Sequence, residues 1–174
     1  MAPGIRHTRV RSGIRLDADG QFWHDEQLVT HPGILRAWHR GLERAPDGRY
    51  LIRFGHDWAY VRVDDAPFFV LRATPEENGV RLRLSNEAEE NLQEQTLGLS
   101  KDGVLYCKVM GDHIAKFTRQ AQADVGALLR QDGERFVLAH AGITWPIRDY
   151  VPTPPPLPEE GPAPEDDGPF ALHG

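Results

Sequence analysis

Tyr50-Leu51-Ile52-Arg53-Phe54-Gly55-His56-Asp57-Trp58-Ala59-Tyr60-Val61-Arg62-Val63 holds two runs of alternating side chains on either side of a glycine-containing turn. A period of two with a turn between the runs is the signature of a β-hairpin. The strand closes at Asp64-Asp65-Ala66-Pro67, because proline has no N–H to give to a ladder. The same figure returns late in the chain: Phe136 and Leu138 run into His140-Ala141-Gly142 and out again through Ile143, Trp145 and Ile147. Each hairpin is preceded by an Asp-Gly turn, Asp47-Gly48 and Asp132-Gly133.

Further outward, each hairpin is preceded by a helical pattern and an earlier turn. Ile34, Leu35, Trp38 and Leu42 share one helix face, Thr30 or His31 is placed to cap it, Pro32 suits its first turn, and Arg44 is its far end. In the second half, Asp112 is placed to cap a helix bearing Ile114, Phe117, Ala121, Val125 and Leu128. Ahead of the helices, Ile14 and Leu16 turn at Asp19-Gly20 into Phe22 and Trp23, and Leu97 and Leu99 turn at Asp102-Gly103 into Val104, Tyr106 and Lys108. Gly20 and Gly103, Asp47 and Asp132, and Trp58 and Trp145 stand 83, 85 and 87 residues apart. That near-constant offset predicts a duplicated chain. The expected class is α+β, mainly antiparallel β, with two tandem repeats of strand hairpin, helix and strand hairpin. The expected boundaries are a flexible N-terminus at 1–13, repeats at 14–85 and 97–150, and a linker or short helix at 86–96, with further strands at Phe68 to Thr74 and Val80 to Leu84.

Beyond Tyr150 the composition changes to prolines interspersed with Glu159, Glu160, Glu165, Asp166 and Asp167. Such a segment has little apolar surface to offset its ordering entropy, so residues 151–174 are expected to be disordered and polyproline-like. Pro152 and Pro155 give it a bare PxxP spacing for a protein partner. The formal charge is -6, yet these five acids account for nearly all of it, leaving the rest close to neutral. A neutral body argues against a nucleic-acid partner, whose footprint is basic. No apolar run reaches the roughly 20 residues that cross a bilayer, and Met1 to Arg15 has no apolar centre of a signal peptide. With one cysteine, Cys107, and no internal disulfide, a cytoplasmic protein without a membrane partner is expected.

The run Val61-Arg62-Val63-Asp64-Asp65-Ala66-Pro67-Phe68, together with Ile14, Gly20 and Trp23 and the turn Asp47-Gly48 with Tyr50, resembles the bacterial family called domain of unknown function 1285. The likeness extends more loosely through Asp132-Gly133 to Trp145-Pro146, and this chain has a shorter segment between Ser85 and Leu97. The resemblance implies a duplicated, mainly β fold whose second half is pleckstrin-homology-like. It implies a ligand site between the two domains and a signalling role, but no established activity.

No catalytic constellation is legible. Asp64 and Asp65 are adjacent on an extended chain and point to opposite faces, so they cannot share an acid/base mechanism. Ser12, Ser85 and Ser100 lie in no GxSxG elbow, and no phosphate-cradling glycine loop is present. The eight histidines show no HxxxH or HExxH pair, so neither metal nor cofactor is expected; a site would have to be assembled from distant loops. Cys107 in an apolar-leaning strand reads as a small buried thiol.

The reading is a non-enzymatic binding or regulatory module, with Trp23, Trp58, Arg62, Asp65, Phe68 and Trp145 lining a groove between the repeats for a nucleotide-like or anionic small molecule. Arg53, Arg62, Arg72, Arg81 and Arg83 alternate on strands, either converging with Trp58 or Tyr60 on a phosphate or forming a solvated face. The tryptophans have the parallel reading of core anchors. The alternatives are a protein-interaction adaptor using a sheet edge or the proline tail, and, third, a hydrolase with Asp65 as its acid.

Overall fold

The computed structural model describes residues 7–169 and is mixed α+β, dominated by antiparallel sheets. The chain forms two compact units, one running to Pro67 and resuming at Pro154, the other spanning Phe68–Thr153. No helix among the described residues is long and apolar enough to cross a membrane.

In the first unit, β1 (Ile14–Leu16) and β2 (Phe22–His24) pair around a turn that Asp17 organises, its Oδ1 accepting from the N–H groups of Asp19 and Gln21 at 2.9 Å each. Asp25 and Glu26, at φ 49° and 63°, close the next hairpin onto β3 (Gln27–Leu28), the left-handed pair that two-residue turns require. Helix α1 (Pro32–Arg40) starts where expected, with His31 Nδ1 accepting from Gly33 N and Ile34 N. It stops four residues short of Arg44. Gly41 donates back to Ala37 O while its own carbonyl accepts from Arg53 N at 2.9 Å, which draws Leu42–Arg44 into a strand, β4, against Tyr50–Phe54, β5. Leu42 is buried as expected, but by sheet pairing. The Tyr50 to Val63 hairpin forms as read, with β6 (Asp57–Val63) antiparallel to β5. β6 also runs parallel to β1, giving the sheet order β3-β2-β1-β6-β5-β4. Leu16, Phe22, Ile52, Ala59, Val61 and Val63 fill the core, and Trp38 of α1 meets Phe22 edge-on at 5.4 Å.

The second unit opens with β7 (Phe68–Glu76), β8 (Gly79–Leu84) and β9 (Glu89–Asn91), followed by a 3-10 turn at Glu94–Thr96. The expected linker is thus partly a strand that pairs with β8. β10 (Gly98–Leu99) and β11 (Leu105–Val109) form the predicted hairpin. The expected helix from Asp112 is corrected at its start. His113–Phe117 is a strand, β12, antiparallel to β11 and parallel to β7, and helix α2 is confined to Arg119–Val125 with Thr118 as its cap. Ile114 and Phe117 carry a helical spacing, but Ala115 and Phe117 are two apart and both buried, a period of two, and the turn at Met110 and Gly111, both at positive φ, commits the chain to a hairpin. The remainder is β13 (Leu129–Asp132), β14 (Arg135–His140), β15 (Ile143–Pro146) and β16 (Arg148–Asp149), the last parallel to β10. Because β7 pairs with β12, the 68–85 stretch that was expected to end the first repeat belongs to this unit.

Helix α2 is tied to β7 through Asp124, whose carboxylate accepts from Arg72 Nε at 2.8 Å, Ala73 N at 3.0 Å and Gln120 Nε2 at 3.0 Å. Chiefly through Arg72, these donors hold its pKa down to about 2. A carboxylate whose folded pKa is depressed contributes stability above its unfolded pKa and loses it as pH falls toward the folded value. Asp124→Asn is therefore expected to flatten the acid limb of the second unit's stability between about pH 4 and pH 2, measured by urea unfolding at stepped pH. An unchanged acid limb would refute the assignment.

Both termini depart from expectation. His7 to Gly13, expected to be flexible, is fastened to β6: Tyr60 N donates to Arg9 O at 2.8 Å and buried Ser12 Oγ donates to Tyr60 O at 2.6 Å. Residues 154–169, expected to be disordered, are docked on the first unit. Arg49, 2% exposed, donates to Pro158 O at 2.7 Å and Pro162 O at 2.9 Å, while Arg9 meets Asp166 and Val10 N meets Asp167 Oδ1. A tally of apolar side chains overlooks this anchorage, since the segment is held by its carbonyls and acids, and its prolines have little conformational entropy to lose. Residues 1–6 and 170–174 of those expectations lie outside the described residues.

Candidate functional site

A cleft of about 390 Å³ opens in the first unit between the Val10–Arg15 segment, β6 and the docked tail. Its charged lining is Arg11, Arg15, Arg62, Glu26, Asp64 and Glu159. Ser12 sets the floor, since its hydroxyl bridges Tyr60 O and Ile14 N. Asp64 closes β6 and stands between two guanidiniums, with Arg15 Nη1 at 2.9 Å and Arg62 Nε at 3.2 Å. Arg15 also reaches Glu26 at 3.4 Å. Among the described residues, the Arg11 guanidinium and the Glu159 carboxylate have no hydrogen bond or ion pair, so the cleft lining holds one uncommitted cation and one uncommitted anion.

Of the six residues expected to bind a ligand, Arg62 lines this cleft. Trp23 and Trp58 are half-buried in the first unit, and each has an arginine on a ring face: Arg15 at 5.2 Å and Arg9 at 4.9 Å from the ring centroids. Trp23 Nε1 donates to Asp17 Oδ2 at 2.8 Å, and although burial pushes the Asp17 carboxyl up, this and two backbone donors bring it below its ordinary range. Asp65 is half-buried, in the bend that follows β6, and does not line the cleft. In the second unit, Phe68 is buried against His113, and Trp145 is half-buried on β15.

The arginine series does not gather on one ligand. Arg53 pairs with Glu43, Arg72 with Asp124 and Arg81 with Glu89, which is the behaviour of solvated strand faces. Sequence reasoning missed Arg11, because the segment preceding β1 carries no pattern, and Arg15, whose strand position alone does not tell which neighbour it faces. Cys107 is buried, and desolvation, with a smaller contribution from Glu90, pushes its thiol pKa far up, so it offers no thiolate. The absence of metal-ligand spacing holds along the chain but not in space. His7, His24 and Asp25 bring ligand atoms within 4.8 Å of one another.

No family model and no curated protein matches the sequence. Two crystal structures share the fold. A DUF1285 family protein from Silicibacter pomeroyi superposes with TM-score 0.62 at 18% identity, covering 79% of this chain and 80% of that one. A DUF1285 family protein from Shewanella baltica gives TM-score 0.51 at 15% identity, covering 63% of this chain and 87% of that one. The α+β, mainly antiparallel fold expected from the sequence is therefore the fold of these proteins.

Proposed function

We propose that the chain is a member of this family of duplicated modules and serves as a non-enzymatic binding or signalling component that holds a small anionic ligand in the first unit's cleft. The duplication is supported by pairing. β1 is antiparallel to β2 and parallel to β6, and β10 is antiparallel to β11 and parallel to β16, with a helix and a meander between in both cases. The pleckstrin-homology-like character of the second copy rests on the family resemblance alone. This reading places the ligand within one unit, and not between repeats.

The observation that carries the ligand assignment is Arg11, an uncommitted guanidinium at the mouth of a cleft whose other two arginines are already fixed by Asp64. A phosphate or carboxylate would complete its fork without displacing an existing ion pair. Nucleotides and phosphorylated metabolites are the expected class. Inorganic phosphate, a nucleoside monophosphate and a sugar phosphate should each be screened by thermal shift. At 100 times its Kd a ligand adds about 2.7 kcal/mol to the folded state, so a rise of several degrees is expected with at least one of them. Arg11→Ala should abolish that rise while leaving the unliganded Tm near wild type. Flat curves for all three would remove the proposal and favour the adaptor reading, for which Val151, 75% exposed beside the PxxP prolines, is the supporting observation. The hydrolase reading has no acid in this cleft from Asp65.

A further inference from the structure

Independently of that reading, we propose that His7, His24 and Asp25 form a site for a borderline divalent transition-metal ion, with Zn2+ as the best match. His7 lies in the segment ahead of β1, His24 ends β2, and Asp25 is the first turn residue after it. His7 Nε2 lies 2.9 and 2.8 Å from the two Asp25 carboxylate oxygens, and His24 Nε2 lies 3.8 Å from Oδ2 of Asp25 and 3.2 Å from the Ser12 carbonyl. The two imidazoles are tilted against each other with centroids 4.8 Å apart.

Ligand atoms at about 2.0–2.1 Å from one tetrahedral zinc stand roughly 3–3.5 Å from one another. The distances from Asp25 to His7 and His24 bracket that range and all three ligand atoms lie within 4.8 Å of one another, so modest side-chain rotations would bring them onto one ion. Two imidazoles and a carboxylate select a borderline ion over Mg2+ or Ca2+, which prefer all-oxygen shells.

The backbone is shaped to allow this approach. Asp25 is held at φ 49°, with its N–H donating to Gly13 O at 3.0 Å, so the turn aims its carboxylate back over the Ser12–Gly13 peptide. Gly13, at φ 75°, leaves the needed room: a Cβ there would lie 2.2 Å from Asp25 Oδ1. The histidines are partly shielded, with side chains 18% and 26% exposed, against 35% for the aspartate. Shielded, but still open to an entering ion, the three groups share a wall with the cleft, since Ser12, Gly13 and Glu26 line it.

The full chain, free of any polyhistidine tag and stripped with chelator, should be titrated with Zn2+ by calorimetry and with Co2+ by visible absorption. One ion per chain and the visible bands of a low-coordinate Co2+ complex are expected. His24→Ala should weaken Zn2+ binding by at least about 10–100-fold, the range that loss of an outer-sphere partner alone produces. Asp25→Asn should do the same without disturbing the turn, because asparagine also accepts the left-handed conformation. His56→Ala, at an exposed turn histidine, should bind as wild type. Circular dichroism confirms that each variant is folded. Absence of one-to-one binding in the wild type, or wild-type affinity in His24→Ala or in Asp25→Asn, overturns the proposal and leaves a simple histidine–aspartate ion pair.

Discussion

Arg49→Ala is expected to lower the stability of the first unit by about 3–5 kcal/mol, because a buried guanidinium that ties the tail to β6 leaves several acceptors without donors at once. Arg49 holds Asp47 through Nε at 2.8 Å, Tyr60 Oη at 3.1 Å, and the carbonyls of Pro158 and Pro162, with its guanidinium 4.1 Å over the Tyr60 ring. Truncation removes the donors to two carbonyls and a hydroxyl at once, and each such group left buried costs about 1–3 kcal/mol. It also releases Asp47, whose carboxyl the Arg49 hydrogen bond holds below its ordinary range. Deleting residues from Pro154 onward acts on the same network from the other side. The two changes should therefore be less than additive in a double-mutant cycle. Trp23, Trp38 and Trp58 all lie in the first unit, so their fluorescence in a Trp145→Phe background reports its urea unfolding alone. A loss below about 1 kcal/mol, or strict additivity with the deletion, would show that the tail is merely laid on the surface.

Gly41→Ala should cost about 3 kcal/mol, the upper end of ordinary overpacking. Gly41 has an unremarkable φ of -87°, so the backbone conformation itself costs alanine nothing. The obstacle is space: a Cβ would stand 2.2 Å from the Arg53 carbonyl oxygen and 3.1 Å from that of Ala37, and both are main chain. Relief requires α1 and β5 to separate, which breaks the bond from Arg53 N to Gly41 O. Gly55→Ala is the contrasting control. Gly55 sits at φ 59° with open space around it, so its cost is conformational only, about 1–2 kcal/mol. Equal losses at the two positions, measured by chemical unfolding, would contradict the steric account of why α1 stops where it does.

Helix α1 shows where sequence reading succeeds and where it stops. His31, Pro32 and the apolar face specified its start, because capping depends only on the next three or four residues. Its end was misplaced by four residues, because the steric partner of Gly41 is a carbonyl in another strand. β12 was lost to a helix for the same reason: Phe117 is at helical spacing from Ile114 and at strand spacing from Ala115, and only pairing with Phe68 to Val70 selects one. In the candidate site, Arg62 was legible from strand alternation next to Asp64, but Arg11 and Arg15 were not, since nothing in Val10 to Arg15 marks the segment as a wall.

The hairpins at Asp17 to Gly20, Tyr50 to Val63 and Phe136 to Trp145, the class of the fold and its buried cysteine followed from the sequence alone, since turn chemistry and side-chain alternation are set within a few residues. Tertiary structure decided the parallel pairings of β1 with β6 and β7 with β12, the docking of the proline tail, and the meeting of His7 with Asp25. Those contacts join groups as far as 157 residues apart, as for Arg9 and Asp166, and no local pattern encodes which distant group will be brought within reach.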